Sequence, residues 1–185
     1  DPVNHQLTFT NKISGFYLAN THTTPKAYFD GWTVNEHHYL QDYRLLLDTL
    51  PLFRDSIKVF NYYPDRCQRV YSSGLTETFT MLDSINALIW ELEWNGPIEK
   101  IVFNHLLPPP ANDRSLVLAN TNPQLLFPPA DLSGANTDAD LLWLEFNWKM
   151  LDQHRLVILA VLAENKSAAQ KLSTDLSKNY KRLRP

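Results

Sequence analysis

The sequence predicts an α+β fold: an antiparallel sheet flanked by helices, with a long N-terminal helix, in one domain over 1–185. Three observations predict it. Apolar residues recur at helical spacing in "NEHHYLQDYRLLLDTL" (Asn35–Leu50) and "TETFTMLDSINALIWELEW" (Thr76–Trp94). Short runs such as "SIKVFN" (Ser56–Asn61) and "LLWLEFNW" (Leu141–Trp148) alternate with the two-residue period of strands. The chain closes on a polar, basic segment with a thin apolar stripe, "SAAQKLSTDLSKNYKRL" (Ser167–Leu183), which reads as a helix. The organisation expected is a helical N-terminal part over 1–50, a mixed core over 51–165 and a basic C-terminal helix over 166–185.

Taken in order, Phe9, Ile13, Phe16 and Tyr17 fall at helical spacing within Val3–Asn20, although Thr and Asn dilute the pattern. "THTTPKAYFDGW" (Thr21–Trp32) is a loop punctuated by Pro25 and Gly31. Asn35 is placed to cap the next helix, Tyr39, Tyr43, Leu46 and Leu50 form its stripe, and Pro51 stops it. Ser56–Asn61 and Gln68–Ser72 should pair antiparallel around a Pro64-Asp65 turn, in a sheet of about four to six strands. In Thr76–Trp94 the stripe is Met81, Ile85, Leu88 and Leu92, and "NGP" (Asn95–Pro97) ends it. "IEKIVFNHLL" (Ile98–Leu107) alternates as a strand. "SLVLANTNPQLLFPP" (Ser115–Pro129) reads as a hairpin turning at Asn120–Pro123, and Ala130–Asp140 as a polar loop. "RLVILAVLAEN" (Arg155–Asn165) reads equally as a buried strand or the start of a helix.

Composition bounds the function. Hydrophobic residues make up 44% and charged residues 20%, an ordinary globular balance rather than a disordered one. A net charge of −3 gives no electrostatic case for nucleic acid. The single cysteine, Cys67, rules out an internal disulfide and a cysteine-based metal site. No apolar run is long enough to cross a bilayer as a helix. The chain begins at Asp1 without Met, as a mature product or an excised soluble segment would.

The order helix, Pro, strand, turn, strand, Gly over Asn35–Gly74 resembles the opening of a Cache or PAS-like sensor domain. The stretches that carry it are "YRLLLDTLPLF", "SIKVFNYY", "PDR" and "CQRVYSSG". In pattern the resemblance extends to Trp148, with "SLVLANTNPQLLF" and "WLEFNW" as the remaining sheet and Val3–Asn20 as the long helix that precedes it. It implies a non-catalytic extracytoplasmic (periplasmic) input domain of a membrane-bound histidine kinase, diguanylate cyclase or chemoreceptor. No cofactor would be involved. The partner would be a small ligand or a periplasmic protein, the parent's membrane helices would lie outside 1–185, and a homodimer is compatible with the family. Ligand binding would act by shifting the packing of helices on the sheet. A cytoplasmic location is the alternative. The rivals in function are a small enzyme using His105 or Cys67, and a module that binds a protein through a Trp-rich surface.

The residues best equipped for a ligand are Tyr62, Tyr63, Arg66, Arg69 and Tyr71, on adjoining strands beside a turn. Arg binds carboxylates or phosphates bidentately and Tyr gives an apolar wall with a polar tip, so the five suggest a small anion pocket with Arg69 at its centre. Strand alternation puts Cys67, Arg69 and Tyr71 on one face. No catalytic motif accompanies them. "YSSG" is not a nucleophile elbow, five scattered glycines make no phosphate loop, and Asp138, Asp140 and Glu145 read as a solvated turn. The six histidines (His5, His22, His37, His38, His105 and His154) lack metal-ligand spacing. Cys67 reads as a small buried apolar residue. The C-terminal stretch from Asn165 carries six Lys or Arg against one Asp and reads as a solvated face or a surface for anionic headgroups.

Overall fold

A computed structural model describes residues 4–22, 31–40, 42–47, 50–95, 100–106, 114–119, 143–152 and 154–179. For 38, 40, 42–47, 50, 51, 100–106, 114–119 and 143–152 it describes the backbone course alone. The described residues are almost all strand: β1 (Gln6–Thr10), β2 (Gly15–Asn20), β3 (Gly31–Val34), β4 (His37–Leu40), β5 (Asp42–Leu47), β6 (Leu50–Leu52), β7 (Ile57–Tyr62), β8 (Arg66–Tyr71), β9 (Leu75–Met81), β10 (Ala87–Trp94), β11 (Lys100–Leu106), β12 (Arg114–Ala119), β13 (Trp143–Asp152) and β14 (Arg155–Ala163). One helix follows, α1 (Lys166–Asn179). The strands form antiparallel sheets in the orders β1-β2-β3-β4, β13-β14-β10-β9-β8-β7 and β12-β11-β5-β6.

The expected hairpin of Ser56–Asn61 with Gln68–Ser72 is present as β7 and β8. They pair antiparallel in the six-stranded sheet, with Asn61 opposite Gln68 and Tyr62 opposite Cys67. The stretches expected as strands around Ile98–Leu107 and Leu141–Trp148 form β11 and β13. Arg155–Asn165 resolves in favour of a strand, β14. α1 starts where Asn165 caps it: the Asn165 side-chain oxygen accepts the backbone N–H of Ala168 at 3.0 Å. The polar loop over Ala130–Asp140 and the Asn120–Pro123 turn lie outside the described residues.

Three expected helices are strands. The N-terminal one is the β1–β2 hairpin, in which Phe9 stands opposite Tyr17 and the two rings stack at 5.4 Å. Phe9 and Tyr17 are buried while Ile13, at the turn, is 58% exposed, so the four apolar residues do not share a stripe. The second, Asn35–Leu50, is replaced by β4, β5 and β6. Asn35 and Glu36 both have positive φ, at 49° and 66°, and Val34 pairs with His37 across them. This is the two-residue hairpin turn whose twist suits antiparallel strands, and Asn tolerates it better than most residues. Pro51, expected to stop a helix, lies instead in β6, the outer strand of its sheet, where a missing N–H is tolerated.

The third, Thr76–Trp94, is the β9–β10 hairpin, with Leu88 opposite Met81 and Trp94 opposite Leu75. Its misreading has a simple origin. Residues i and i+4 share a face in both a helix and a strand, so Leu88 and Leu92 are buried in either reading, at 1% and 0% exposure. Thr76, Thr78 and Thr80 alternate with Glu77, Phe79 and Met81, and this alternation carries the strand.

The four-stranded β1–β4 sheet packs face to face on the six-stranded sheet. Phe9, Tyr17, Trp32, Val34 and Tyr39 from the first join Cys67, Phe79, Leu88, Trp90, Leu92, Leu156 and Ile158 from the second in one buried cluster. Rings stack through it from Phe9 to Tyr17, from Tyr17 to Phe79 at 4.9 Å, and from Phe79 to Trp90 at 5.5 Å. On the opposite face of the six-stranded sheet, Ile89, Val157, Leu159 and Val161 lie beneath Leu172 and Leu176 of α1. The α+β expectation therefore holds only coarsely, as antiparallel sheet with one C-terminal helix, and the long N-terminal helix is absent.

Two hairpin tips fasten the sheets together. Asn11 is fully buried. Its amide donates to the Asn86 side-chain oxygen at 2.6 Å and to the Ile85 carbonyl at 3.1 Å. Its side-chain oxygen accepts the backbone N–H of Gly15 at 2.8 Å and of Ile13 at 3.2 Å. The Lys12–Asp83 ion pair lies just outside this knot.

Candidate functional site

The five residues expected to form an anion pocket do not act together. Cys67, Arg69 and Tyr71 share one strand face, as alternation required, and that face is the interior of the sandwich. Arg69 is 1% exposed and Glu77, directly opposite on β9, is 0% exposed. Arg69 Nη1 lies 3.1 Å from Glu77 Oε2, and Arg69 Nη2 donates to the Asn20 carbonyl of the facing sheet at 3.1 Å. The same Glu77 oxygen accepts the Tyr71 hydroxyl at 2.9 Å, and Glu77 Oε1 accepts the Trp90 indole N–H at 3.0 Å. The rings of Phe60 and Phe79 lie 5.7 and 5.8 Å from the guanidinium carbon. A buried charge without such partners would cost several kcal/mol, and here the partners are all internal. Arg69 is thus a paired core residue with no guanidinium face open to solvent.

The surroundings of this pair keep neighbouring groups neutral. Burial, more than any other influence, pushes the Cys67 thiol up from 9.0 to about 11. Arg69 opposes the shift without cancelling it. Such a thiol carries no appreciable thiolate at neutral pH, so it is a poor nucleophile. Burial likewise raises the hydroxyls of Tyr17 and Tyr71 well above the ordinary tyrosine range.

Tyr62, Tyr63 and Arg66 sit outside, at the β7–β8 turn. Arg66 lies over the Tyr63 ring at 4.5 Å and 3.6 Å from Asp65. Tyr62 reaches across to the other sheet, donating its hydroxyl to the Thr8 carbonyl at 2.8 Å. Here an unexpected feature gathers. Phe53 is 63% exposed, Val59 48%, Tyr62 46% and Tyr63 39%, and all four lie on β7 or its flanks. β7 is the outer strand of the six-stranded sheet. Its Lys58 occupies an irregularity in the pairing between Ile57 and Val59, a common way of blunting an edge.

A second feature lies at one end of the same sheet. Gly74, Thr76, Glu93, Trp94, Asn95, His154 and Arg155 line a cleft of about 260 Å³. Thr76, Glu93 and Arg155 stand in register across β9, β10 and β14. Arg155 Nε is 2.8 Å from Glu93 and Arg155 Nη2 is 3.4 Å from Glu91. Sequence reading missed this cleft because its walls come from three strand ends far apart in the chain.

The remaining candidates contribute little. Among the described residues no three His, Cys, Asp or Glu side chains gather as metal ligands. Glu145 lies in β13, opposite Val161, rather than in a turn; its side chain and that of His105 lie outside what is described, as do Asp138 and Asp140 altogether. No helix among the described residues is long and apolar enough to cross a membrane. No protein-family model matches the chain, and neither a curated protein nor a solved structure matches it.

Proposed function

We propose that the chain is a non-catalytic β-sandwich recognition module that engages another protein through β7 and its flanks. The observation that supports this reading is the clustering of exposed apolar side chains. Of the five large hydrophobics exposed among the described residues, four (Phe53, Val59, Tyr62 and Tyr63) fall within eleven consecutive positions, the fifth being Ile13. Scattered surface hydrophobics are ordinary, but a run of them along a sheet edge is the usual mark of a binding surface. Tyr and Phe supply large contact area at little entropic cost, and because the irregularity at Lys58 blunts the β7 edge against an added strand, the contact is made by these side chains. The buried, internally paired Arg69 and Glu77 and the raised Cys67 thiol favour a scaffold over a reaction centre in the sandwich interior. Placement as the extracytoplasmic input domain of a membrane receptor rests on the sequence resemblance alone.

The test is site-specific photo-crosslinking in the source cells. A photo-reactive residue at Val59 should give a discrete heterologous adduct that Tyr63→Glu suppresses. The same residue at Gln170, exposed on α1, should give none. Equal adducts from both positions, or none from Val59, would sink the reading.

A further inference from the structure

We propose that Asn95 is a self-modifying site. The backbone nitrogen of the next residue displaces its side-chain amide, and water then converts the position to aspartate or isoaspartate. The site is separate from the β7 surface and does not depend on it.

Sequence supplies the reactive pair. Of the fifteen asparagines in the chain, only Asn95 precedes a glycine, Gly96. The reaction closes a ring between the Gly96 nitrogen and Asn95 Cγ, and a side chain on the following residue would crowd that closure. Glycine has no Cβ and the freest backbone. The bond formed is N–Cγ and the bond broken is Cγ–Nδ2. The amide nitrogen leaves as ammonia, taking the proton that the Gly96 N–H gives up, and a cyclic imide remains. Water then adds to one of the two imide carbonyls. Opening at Cγ restores the backbone and leaves aspartate. Opening at the backbone carbonyl routes the chain through the side chain as isoaspartate. One water enters and one ammonia leaves, so neither an oxidant nor a reductant is required.

The fold leaves Asn95 able to react. β10 ends at Trp94, whose N–H is held by the His154 carbonyl at 3.0 Å. Asn95 is the first position beyond that strand, and it is exposed. Among the described residues no hydrogen bond holds its amide. Its neighbour Gly74 leaves it room: even a Cβ built there would stand 3.8 Å from the Asn95 Cβ and carbonyl oxygen. Asn11 is the opposite case, buried, hydrogen-bonded at both ends of its amide and followed by Lys12. The product adds a carboxylate to the cleft rim that also carries half-exposed Glu93. Its isoaspartate form suits the class of methyltransferase that esterifies isoaspartyl carboxylates.

The experiment ages the intact chain in mildly alkaline buffer and follows it by ion exchange and peptide mapping. Isoaspartate is counted by enzymatic methyl transfer from S-adenosylmethionine. A more acidic species should accumulate with release of ammonia, and the change should map to Asn95. Asn95→Gln should abolish that species, and Gly96→Ala should slow its formation by about tenfold. A parallel sample unfolded in urea separates the contribution of the fold from that of the sequence. Earlier modification at another asparagine, an unchanged rate in Gly96→Ala, or a native chain that stays intact while the unfolded chain deamidates would each overturn the proposal.

Discussion

Arg69 and Glu77 face each other across β8 and β9 at 3.1 Å, and neither reaches solvent. Removing one partner strands the other's charge in the core, so Arg69→Met or Glu77→Leu alone should destabilise the chain by about 3–5 kcal/mol. Replacing both should recover only part of that loss: no charge is left to desolvate, but the buried Tyr71 hydroxyl and Trp90 indole N–H lose their acceptor. Urea denaturation of the two single variants and the double variant measures the coupling. Simple additivity would mean that the two side chains do not depend on each other.

Cys67 should behave as a closed thiol. Its folded value of about 11 lies above the ordinary 9.0. The proton is therefore held more tightly in the folded state. The associated stability is fully present below pH 9 and is lost as pH rises from 9 towards 11. The loss is on the order of 3 kcal/mol, two pKa units at about 1.4 kcal/mol each. Native protein at pH 8 should label with a thiol reagent only as fast as it unfolds, and Cys67→Ala should flatten part of the alkaline decline. Prompt labelling of the native chain would contradict the burial.

Gly15 is fixed by close approach. A Cβ there would come within 2.9 Å of the Asn11 amide nitrogen and 3.2 Å of a Val34 methyl. Asn11 cannot swing aside, because both ends of its amide are hydrogen-bonded. Gly15→Ala should therefore cost about 1–3 kcal/mol as an overpacked site. Amide exchange should also quicken at Ser84, whose N–H donates to the Asn11 carbonyl at 2.8 Å. An unchanged melting temperature would show that the tip yields easily.

Leu88→Ala should cost about 2–5 kcal/mol through the cavity it leaves, as measured by thermal or chemical unfolding. The side chain is 1% exposed between the two sheets. A much smaller loss would mean that the surrounding rings collapse into the space.

How far the sequence could be read depended on whether a residue's signal was unique to one structure. Pro64-Asp65 between two alternating runs specifies a turn and little else, so β7 and β8 were legible, as was the shared face of Cys67, Arg69 and Tyr71. Asn35 was not, because the same side chain suits a helix cap and a left-handed turn position. Leu88 and Leu92 fit both periods and read as a helix; the Thr-Glu-Thr-Phe-Thr alternation before them was the one signal for a strand. Glu77 as the partner of Arg69 follows from cross-strand register, which local pattern does not carry. The cleft at Glu93 and Arg155 needs the β10–β14 pairing, between residues about sixty apart in sequence.

The ring stack from Phe9 through Tyr17 and Phe79 to Trp90 has a consequence for the chain as it is made. The first hairpin leaves the ribosome with Phe9 and Tyr17 uncovered, and the rings that cover them lie some seventy positions later. The Asn11–Asn86 clasp spans a similar interval, its halves 75 positions apart. Contacts of such long range form slowly, because the loop must close before they reward it. During synthesis the β1–β2 hairpin is a sticky, unpaired edge, and the interval until Trp90 emerges is when it is most exposed to wrong partners.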